Sequence, residues 1–253
     1  MKKVAVLGCG ISGLMAAWAC EEMGIDYAIF DAKPKKPSVF GFMFLHKPCG
    51  IPLKASKLRQ LIVPNDISIS QASYLYSKKV YDSEFVESSL SSVIKNSVLD
   101  IYDMSKAINF LWARCKDKVE QKVFADIGGA VDFSKSFDLT FFTLPLNKLD
   151  SSGTYYYTDS FVLTGKVGYG DNFVFYDLRE NNPLAYRWGY LFDHIFIESR
   201  LKLSGSRKVK KVVFSENLPE VPGNFILCGR YGAWDKKVLV HNVYEKVREI
   251  LNG

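Results

Sequence analysis

Val4-Ala5-Val6-Leu7-Gly8-Cys9-Gly10-Ile11-Ser12-Gly13 opens the chain with an apolar run that breaks directly into G-x-G-x-x-G. Four apolar residues stopped by glycine suit a buried parallel strand. Residues 11–23 have a helical composition rich in Ala, Met, Leu and Glu, and Gly24 follows where a helix C-terminus wants it. Tyr27-Ala28-Ile29-Phe30 supplies a second apolar strand ending at Asp31. Strand, glycine turn, helix and strand within about 30 residues make one βαβ crossover. In such a turn Gly8 permits the tight bend, Gly10 lets backbone approach a pyrophosphate, and Gly13 lets helix and strand pack closely. The helix start offers unpaired N–H groups and a positive dipole end to phosphates. Asp31 is placed for ribose hydroxyls. The spacing predicts a dinucleotide with a free ribose, which FAD and NAD satisfy equally.

Composition bounds the rest. The 253 residues are 48% hydrophobic and 24% charged, as expected of a globular protein with one large domain or two small ones. The five cysteines (Cys9, Cys20, Cys49, Cys115, Cys228) are scattered without C-x-x-C spacing, and the three histidines (His46, His194, His241) are far apart in sequence. No disulfide framework and no metal site is expected; free thiols in a reducing cytoplasm are. Met1-Lys2-Lys3 before an apolar run imitates a signal peptide, but the glycine motif and Glu21-Glu22 argue against targeting. No stretch is long enough to span a bilayer, so no membrane association is expected. Net charge is +6, concentrated at Arg200, Lys202, Arg207, Lys208, Lys210 and Lys211, with smaller clusters at Lys33, Lys35, Lys36 and at Lys236, Lys237. This balance suits a phosphate-bearing partner, although lysines on a solvated strand edge give the same pattern.

Further along, Pro34, Pro37, Pro48, Gly50 and Pro52 mark a long irregular connection. Residues 67–81 alternate as a strand does, 103–119 read as an amphipathic helix with Ile108, Leu111, Trp112 and Cys115 on one side, and 137–144 form an apolar strand broken by Pro145. Aromatic and β-branched residues with Gly turns over 154–214 predict an antiparallel sheet. Phe225-Ile226-Leu227-Cys228 is a further buried strand stopped by Gly229, and 238–251 a final helix.

Four more segments resemble the FAD-dependent amine oxidase and UDP-galactopyranose mutase superfamily. Gly41-Phe42-Met43-Phe44-Leu45-His46 resembles the mutase pattern Gly-x-His-x-Phe-His, with Met43 in place of the first histidine. Residues 137–145 resemble the strand Tyr-Asp-x-Val-Ile-x-Thr-x-Pro near the cofactor. Asn182-Pro183-Leu184-Ala185-Tyr186-Arg187, followed by Glu198, resembles the segment whose arginine reaches substrate. Phe225 to Trp234 resembles the C-terminal Gly-Arg-x-x-x-Tyr segment, with Trp234 at the tyrosine. All lie in the family's order, which favours FAD over NAD. Compact relatives of this kind occur in bacteriophages, where some flavoproteins act as lyases or oxidases on amino-acid-modified thymine in DNA.

The resemblance implies an α/β fold: a Rossmann-like FAD-binding domain interleaved with a smaller antiparallel-sheet substrate domain. The corresponding boundaries are 1–65 (βαβ unit and flavin-facing loop), 66–122 (strand and helix insertion), 123–150 (FAD-binding domain continued), 151–215 (antiparallel substrate sheet) and 216–253 (C-terminal FAD-binding segment). FAD contacts are expected from Gly8, Gly10, Ile11, Ser12, Gly13, Asp31, Ala32, Lys33, Leu45, His46, Thr143, Pro145, Gly229, Arg230, Val238 and Leu239. His46 and Arg187 are the catalytic candidates, His46 to manage a proton near the flavin and Arg187 to grip an anionic group through its planar fork. An ion pair with Glu198 or Glu180 is the structural alternative for Arg187. Tyr186, Arg187, Tyr231 and Trp234 are expected at substrate.

Among individual aromatics, Tyr155, Tyr156 and Tyr157 alternate faces and are expected in the core, as are Trp188 and Trp234 if they do not stack on a ring. Cys49 is expected as a buried thiol. Three functions follow: an FAD-dependent oxidoreductase or lyase on an amine or amino-acid-like group, including one on a modified pyrimidine in DNA; a sugar-nucleotide mutase; and a non-catalytic flavin-bound module that binds nucleic acid through residues 200–211. The expected partner is an anionic or nucleotide-like substrate, DNA among them, with the oligomeric state left open.

Overall fold

The computed structural model describes residues 2–39, 43–81, 97–168, 170–179, 182 and 186–253. Residues 41–42 and 183–185, which carry parts of two of the quoted resemblances, and Glu180 lie outside them.

β1 (Lys3–Leu7), α1 (Ile11–Glu22) and β2 (Asp26–Asp31) form the expected crossover. Alternation along β1 sends Val4 and Val6 to one layer of the core and Ala5 and Leu7 to the other. All four are fully buried, as a parallel strand covered on both faces must be. α1 is buried from Gly13 through Cys20 without a break, because it lies between the sheet and two further helices. Those are α3 (Met104–Cys115) and α6 (Val240–Asn252). The side chain of Asp103 caps α3, accepting from the Ser105 and Lys106 amides at 2.8 and 3.2 Å. Helix α4 (Ile127–Ser134) packs the opposite layer.

The sheet has five strands, all parallel, in the order β6 (Val119–Gln121), β2, β1, β7 (Leu139–Phe142), β13 (Phe225–Leu227). The chain builds β1, β2 and β6 outward on one side, then returns to lay β7 and β13 on the other. The reversal leaves a crevice beyond the C-terminal ends of β1 and β7, where doubly wound sheets bind ligands.

Gly24 closes α1 at φ +66°, and a Cβ there would meet nothing within 4 Å. The cost of Gly24→Ala is therefore backbone strain alone, about 1 kcal/mol. Thermal melts should show a fall of about 2–4 °C.

The second sheet has eight strands: β12 (Arg207–Ser215), β8 (Tyr155–Lys166), β11 (His194–Ser199), β10 (Arg187–Leu191), β9 (Asn172–Asp177), β4 (Ser56–Val63), β5 (Val98–Asp103) and β3 (Phe44–Leu45). Strands β8 to β12 are the antiparallel set expected over 154–214. β4 joins that set parallel to β9, so the sheet is mixed and draws three strands from residues before 104.

Residues 69–81 are a correction to the sequence: they form helix α2 (Ile69–Tyr81), not a strand. Ala72, Tyr76 and Val80 recur every four residues and are buried against Leu58, Ile62 and Val174 of the sheet. Tertiary burial of that stripe outweighs the local alternation. One face of the second sheet is thus covered by α2; the other carries no described helix.

Candidate functional site

The glycine turn has the geometry its spacing implies. Gly8 sits at φ +109°, and its amide donates to the Phe30 carbonyl at 2.8 Å. A Cβ on Gly13 would stand 1.8 Å from the Gly8 carbonyl oxygen, so helix and turn touch there. Thr143 fastens the next strand to the turn, its hydroxyl donating to the Leu7 carbonyl at 2.9 Å. Gly10 is different: a Cβ there would meet nothing within 4 Å. Gly10 is also the N-cap of α1, with no side-chain cap and no acidic residue in the first turn. The first amides of the helix, at Ile11 and Ser12, therefore lie beside open space, where an anion is favoured.

Asp31 is held at the rim by the Cys9 amide on Oδ2 and the Lys33 amide on Oδ1, both at 2.8 Å. A carboxylate has about four acceptor sites, so this anchoring orients Asp31 and leaves it able to accept from ribose hydroxyls. Ala32 beside it accepts weakly from Gln121 at 3.4 Å.

The C-terminal segment packs against this turn. Gly229 has φ +74°, and its Cβ would lie 2.6 Å from the Ser12 hydroxyl; a Cβ on Gly232 would lie 2.5 Å from the Phe142 carbonyl. The short helix α5 (Gly229–Gly232) is thus pressed onto both the first turn of α1 and the end of β7. Half-buried Arg230 follows Gly229 directly, and its charge is felt at Tyr81, Tyr231 and Lys211. Val238 lines a cavity of about 180 Å³ together with Cys228, Gly229, Asn242 and Lys246.

Other expected contacts are placed less directly. Leu45 is 1% exposed and belongs to the nucleotide-domain core, so its side chain offers a cofactor no surface. The Leu239 amide is capped by Asn242 Oδ1 at 2.9 Å and is not a free donor. Pro145 is exposed and begins the turn after β7.

His46 follows β3 and has a partner that its sequence position hid. The ring of His241, from the first turn of α6, lies 5.8 Å from it between centroids, and Phe44 lies 4.8 Å away. Lys47 pairs with Glu245 of α6 at 2.5 Å and pins the loop to that helix. Surrounding protein lowers the pKa of His46, and the charge of His241 lowers it further, although the His46 ring keeps an exposed edge. Burial likewise lowers His241, opposed by Glu245 and aided by Lys47. At neutral pH both rings are therefore neutral and able to accept a proton.

Arg187 takes the structural alternative. Its Nε and Nη2 donate to Glu198 Oε2 at 2.9 and 2.5 Å, across the register pair of β10 and β11. Lys211 of β12 donates to the same oxygen at 3.0 Å. Two cations share one carboxylate in a nearly buried place. The cations hold Glu198 down at about 2 against its own burial, while burial pushes Lys211 down to about 8. The charge of Arg230 also acts on Lys211 and on Tyr81, so Arg230 lies near the triad. The sequence reads Lys211 only as part of the basic cluster; the signal for its inward place is the alternation of β12, which turns residue 211 inward where a solvated lysine is not expected.

Among the aromatics expected at substrate, Tyr186 is 1% exposed with its hydroxyl on Ser160, and Tyr231 donates to the Lys210 carbonyl at 2.6 Å. Trp234 is a correction: it is 3% exposed, with its indole N–H shared between the Tyr156 and Phe214 carbonyls, and it packs on Tyr155. That leaves it no face for a ligand. Tyr156 and Tyr157 are exposed rather than in the core, the former stacked on Phe214. Cys49 is buried, and burial pushes its thiol up to about 11.

The basic stretch is largely engaged within the chain. Lys208 pairs with Asp159 at 2.6 Å, Lys210 lies over the Tyr157 ring at 3.5 Å, Lys211 is in the triad, and Arg200 donates to the Val80 carbonyl. Among the described residues no group of three or more His, Cys, Asp or Glu gathers as a metal site, and no helix is long and apolar enough to cross a membrane.

No family model matches the chain, and no curated protein matches it in sequence. Solved structures do match in fold. Reduced UDP-galactopyranose mutase superposes over all of this chain and 96% of its own, with a TM-score of 0.58 at 10% identity. The tetrameric form of 2-methyl-3-hydroxypyridine-5-carboxylic acid oxygenase covers all of this chain and 83% of its own, with a TM-score of 0.56 at 10% identity. The Y270A form of the same oxygenase gives 0.55. The fold is that of the FAD-binding, Rossmann-type flavoproteins.

Proposed function

We propose that the chain is an FAD-dependent oxidoreductase or lyase acting on an amine or amino-acid-like group that also carries an anionic function. The observation that supports it most is the contact between Gly229 and the Ser12 hydroxyl, which joins Arg230 to the first turn of α1 beside the open space at Gly10. A phosphate chain suits that place: uncapped amides, a guanidinium, and a glycine whose missing side chain leaves room for it. Bound there, FAD supplies the capacity to take up a hydride equivalent from the carbon next to nitrogen.

The chain's own residues have distinct tasks. Ile11, Ser12 and Arg230 hold the diphosphate, and Asp31 orients the ribose. His46, neutral at working pH, accepts a proton beside the reacting centre. Arg187 and Lys211, held together on their shared carboxylate, are the cationic groups toward which a carboxylate or phosphate is drawn. A substrate on DNA is compatible with the overall charge, but the lysines of 208–211 that would reach it are mostly committed to internal partners.

Anaerobic addition of an amino-acid-like substrate should bleach the visible flavin band; an unchanged spectrum across amines and modified-pyrimidine oligonucleotides would remove this reading. His46→Gln should leave FAD bound and slow that bleaching by about 10²–10⁴-fold. In the native protein the rate should fall as pH drops through an imidazole pKa below the ordinary 6.5, because the protonated ring cannot accept.

A sugar-nucleotide mutase is the second reading, favoured by the match of the whole chain to a reduced mutase. It expects turnover only after dithionite reduction and tight binding of uridine diphosphate. Calorimetry with that ligand separates the two.

A further inference from the structure

His46 and His241 meet where the loop after β3 lies on the first turn of α6. Their rings stand 5.8 Å apart between centroids at 61° to each other, and Phe44 closes another side of His46. His241 is only 9% exposed, yet among the described residues neither ring has a hydrogen-bond partner. An imidazole so enclosed that merely braced the loop would be expected to hold a neighbour by a hydrogen bond. Here another pair does the bracing: Lys47, next to His46 in the chain, reaches Glu245, one helical turn beyond His241. Both rings keep their nitrogens uncommitted. The Glu245 side chain is partly open to solvent, so the three groups run in order from the loop, through the protein, to the surface.

We propose that His241 carries away the proton that His46 accepts, releasing it to solvent beside Glu245. This rests on the reading of His46 as the proton acceptor at the reacting centre, and adds how that base is reset. A base serving the reacting centre has its open edge turned to substrate, so its proton needs a second way out. His46 takes one proton from substrate and gives one to His241, directly or through one water. His241 gives one to solvent. Both rings end neutral, as they began, and no electrons move along the route.

The surroundings suit a relay. Burial lowers both imidazoles, and a helix start disfavours charge on His241, so neither ring traps the proton. Glu245, kept ionised by Lys47, favours the charge on His241 and gives the transfer its direction; Lys47 itself opposes that charge. The other titratable groups close by are Cys49, pushed up to about 11 and so neutral, and Glu22 of α1, which is tied to Tyr244 and Arg248.

Turnover of the flavin-loaded protein, with an amine that bleaches the native flavin, tests the route. In weak buffer His241→Phe should slow steady turnover about tenfold or more, and slow it more than the first bleaching. Added imidazole should restore much of that loss, which a merely structural defect would not allow. Turnover indifferent to His241→Phe, or a loss that no small base recovers, would overturn the proposal. Proton NMR of the histidine rings needs no substrate. In the native protein the two rings should titrate in coupled steps, and in His241→Gln the remaining His46 should titrate at higher pH, since the charge of His241 is gone. Two independent single-step titrations, with His46 unmoved by the substitution, would also overturn it. If no amine bleaches the native flavin, the oxidoreductase reading falls, and the titration still decides whether the two rings share a proton.

Discussion

Gly10→Leu should yield a folded protein that binds no flavin. Of the three fingerprint glycines, Gly10 is the one whose Cβ would meet nothing within 4 Å, so the chain itself has room for a larger residue. Its φ of −66° suits any residue. The leucine fills the space where the proposed function puts the diphosphate, and FAD affinity should fall by at least 100-fold, about 3 kcal/mol. The melting temperature without cofactor should stay within a few degrees of the native value. Gly13→Ala makes the contrast. Its Cβ would lie 1.8 Å from the Gly8 carbonyl, so it should lower stability as well as binding. Equilibrium dialysis with FAD and thermal melts of both variants check the pair. Loss of stability in Gly10→Leu equal to that in Gly13→Ala would mean that the space at Gly10 is not a ligand site.

Glu198→Gln should be the most destabilising conservative change in the second sheet, about 3–5 kcal/mol, on the order of a 10 °C fall in melting temperature. The amide keeps the shape but takes the shared carboxylate away from Arg187 and Lys211, both nearly buried. Adding Lys211→Met should recover part of the loss, because it removes one of the two cations that shared the carboxylate. The native pH dependence has a definite sign. Glu198 has its pKa lowered from 4.5 to about 2, so its contribution is full above the ordinary value and fades as pH falls through that interval. Lys211 is lowered from 10.5 to about 8: keeping it charged costs stability below 8, and stability rises between 8 and 10.5 as the folded state sheds the proton first. In Lys211→Met the alkaline rise should disappear. Urea unfolding across pH checks both slopes.

The nucleotide-binding half is legible in the sequence because its constraints are local. Gly8, Gly10 and Gly13 fall within a single turn, and the four apolar residues of β1 need no distant information to read as buried. The second sheet is legible only over β8 to β12, whose strands all come from one stretch of the sequence. Strand β4 adds parallel to β9 across more than a hundred residues, and nothing in residues 56–63 announces that partner. Helix α2 was hidden for the same reason: the four-residue stripe of Ala72, Tyr76 and Val80 gains its meaning only from the sheet it covers. His241 and Lys211 escaped because each looks ordinary in its own segment. Only the fold brings one to His46 and the other to Glu198. Arg187 was recognised as important, but its immediate partner is that same carboxylate.

Absorption spectroscopy of the purified protein, followed by titration of FAD into whatever fraction lacks it, is the most direct measurement. A yellow protein that releases FAD on denaturation, or a colourless one that takes up one FAD per chain and loses that capacity with Gly10→Leu, is the expected result. A native chain that neither carries nor acquires flavin, while remaining folded, would contradict the assignment of the α1 N-terminus and Arg230 to a flavin diphosphate.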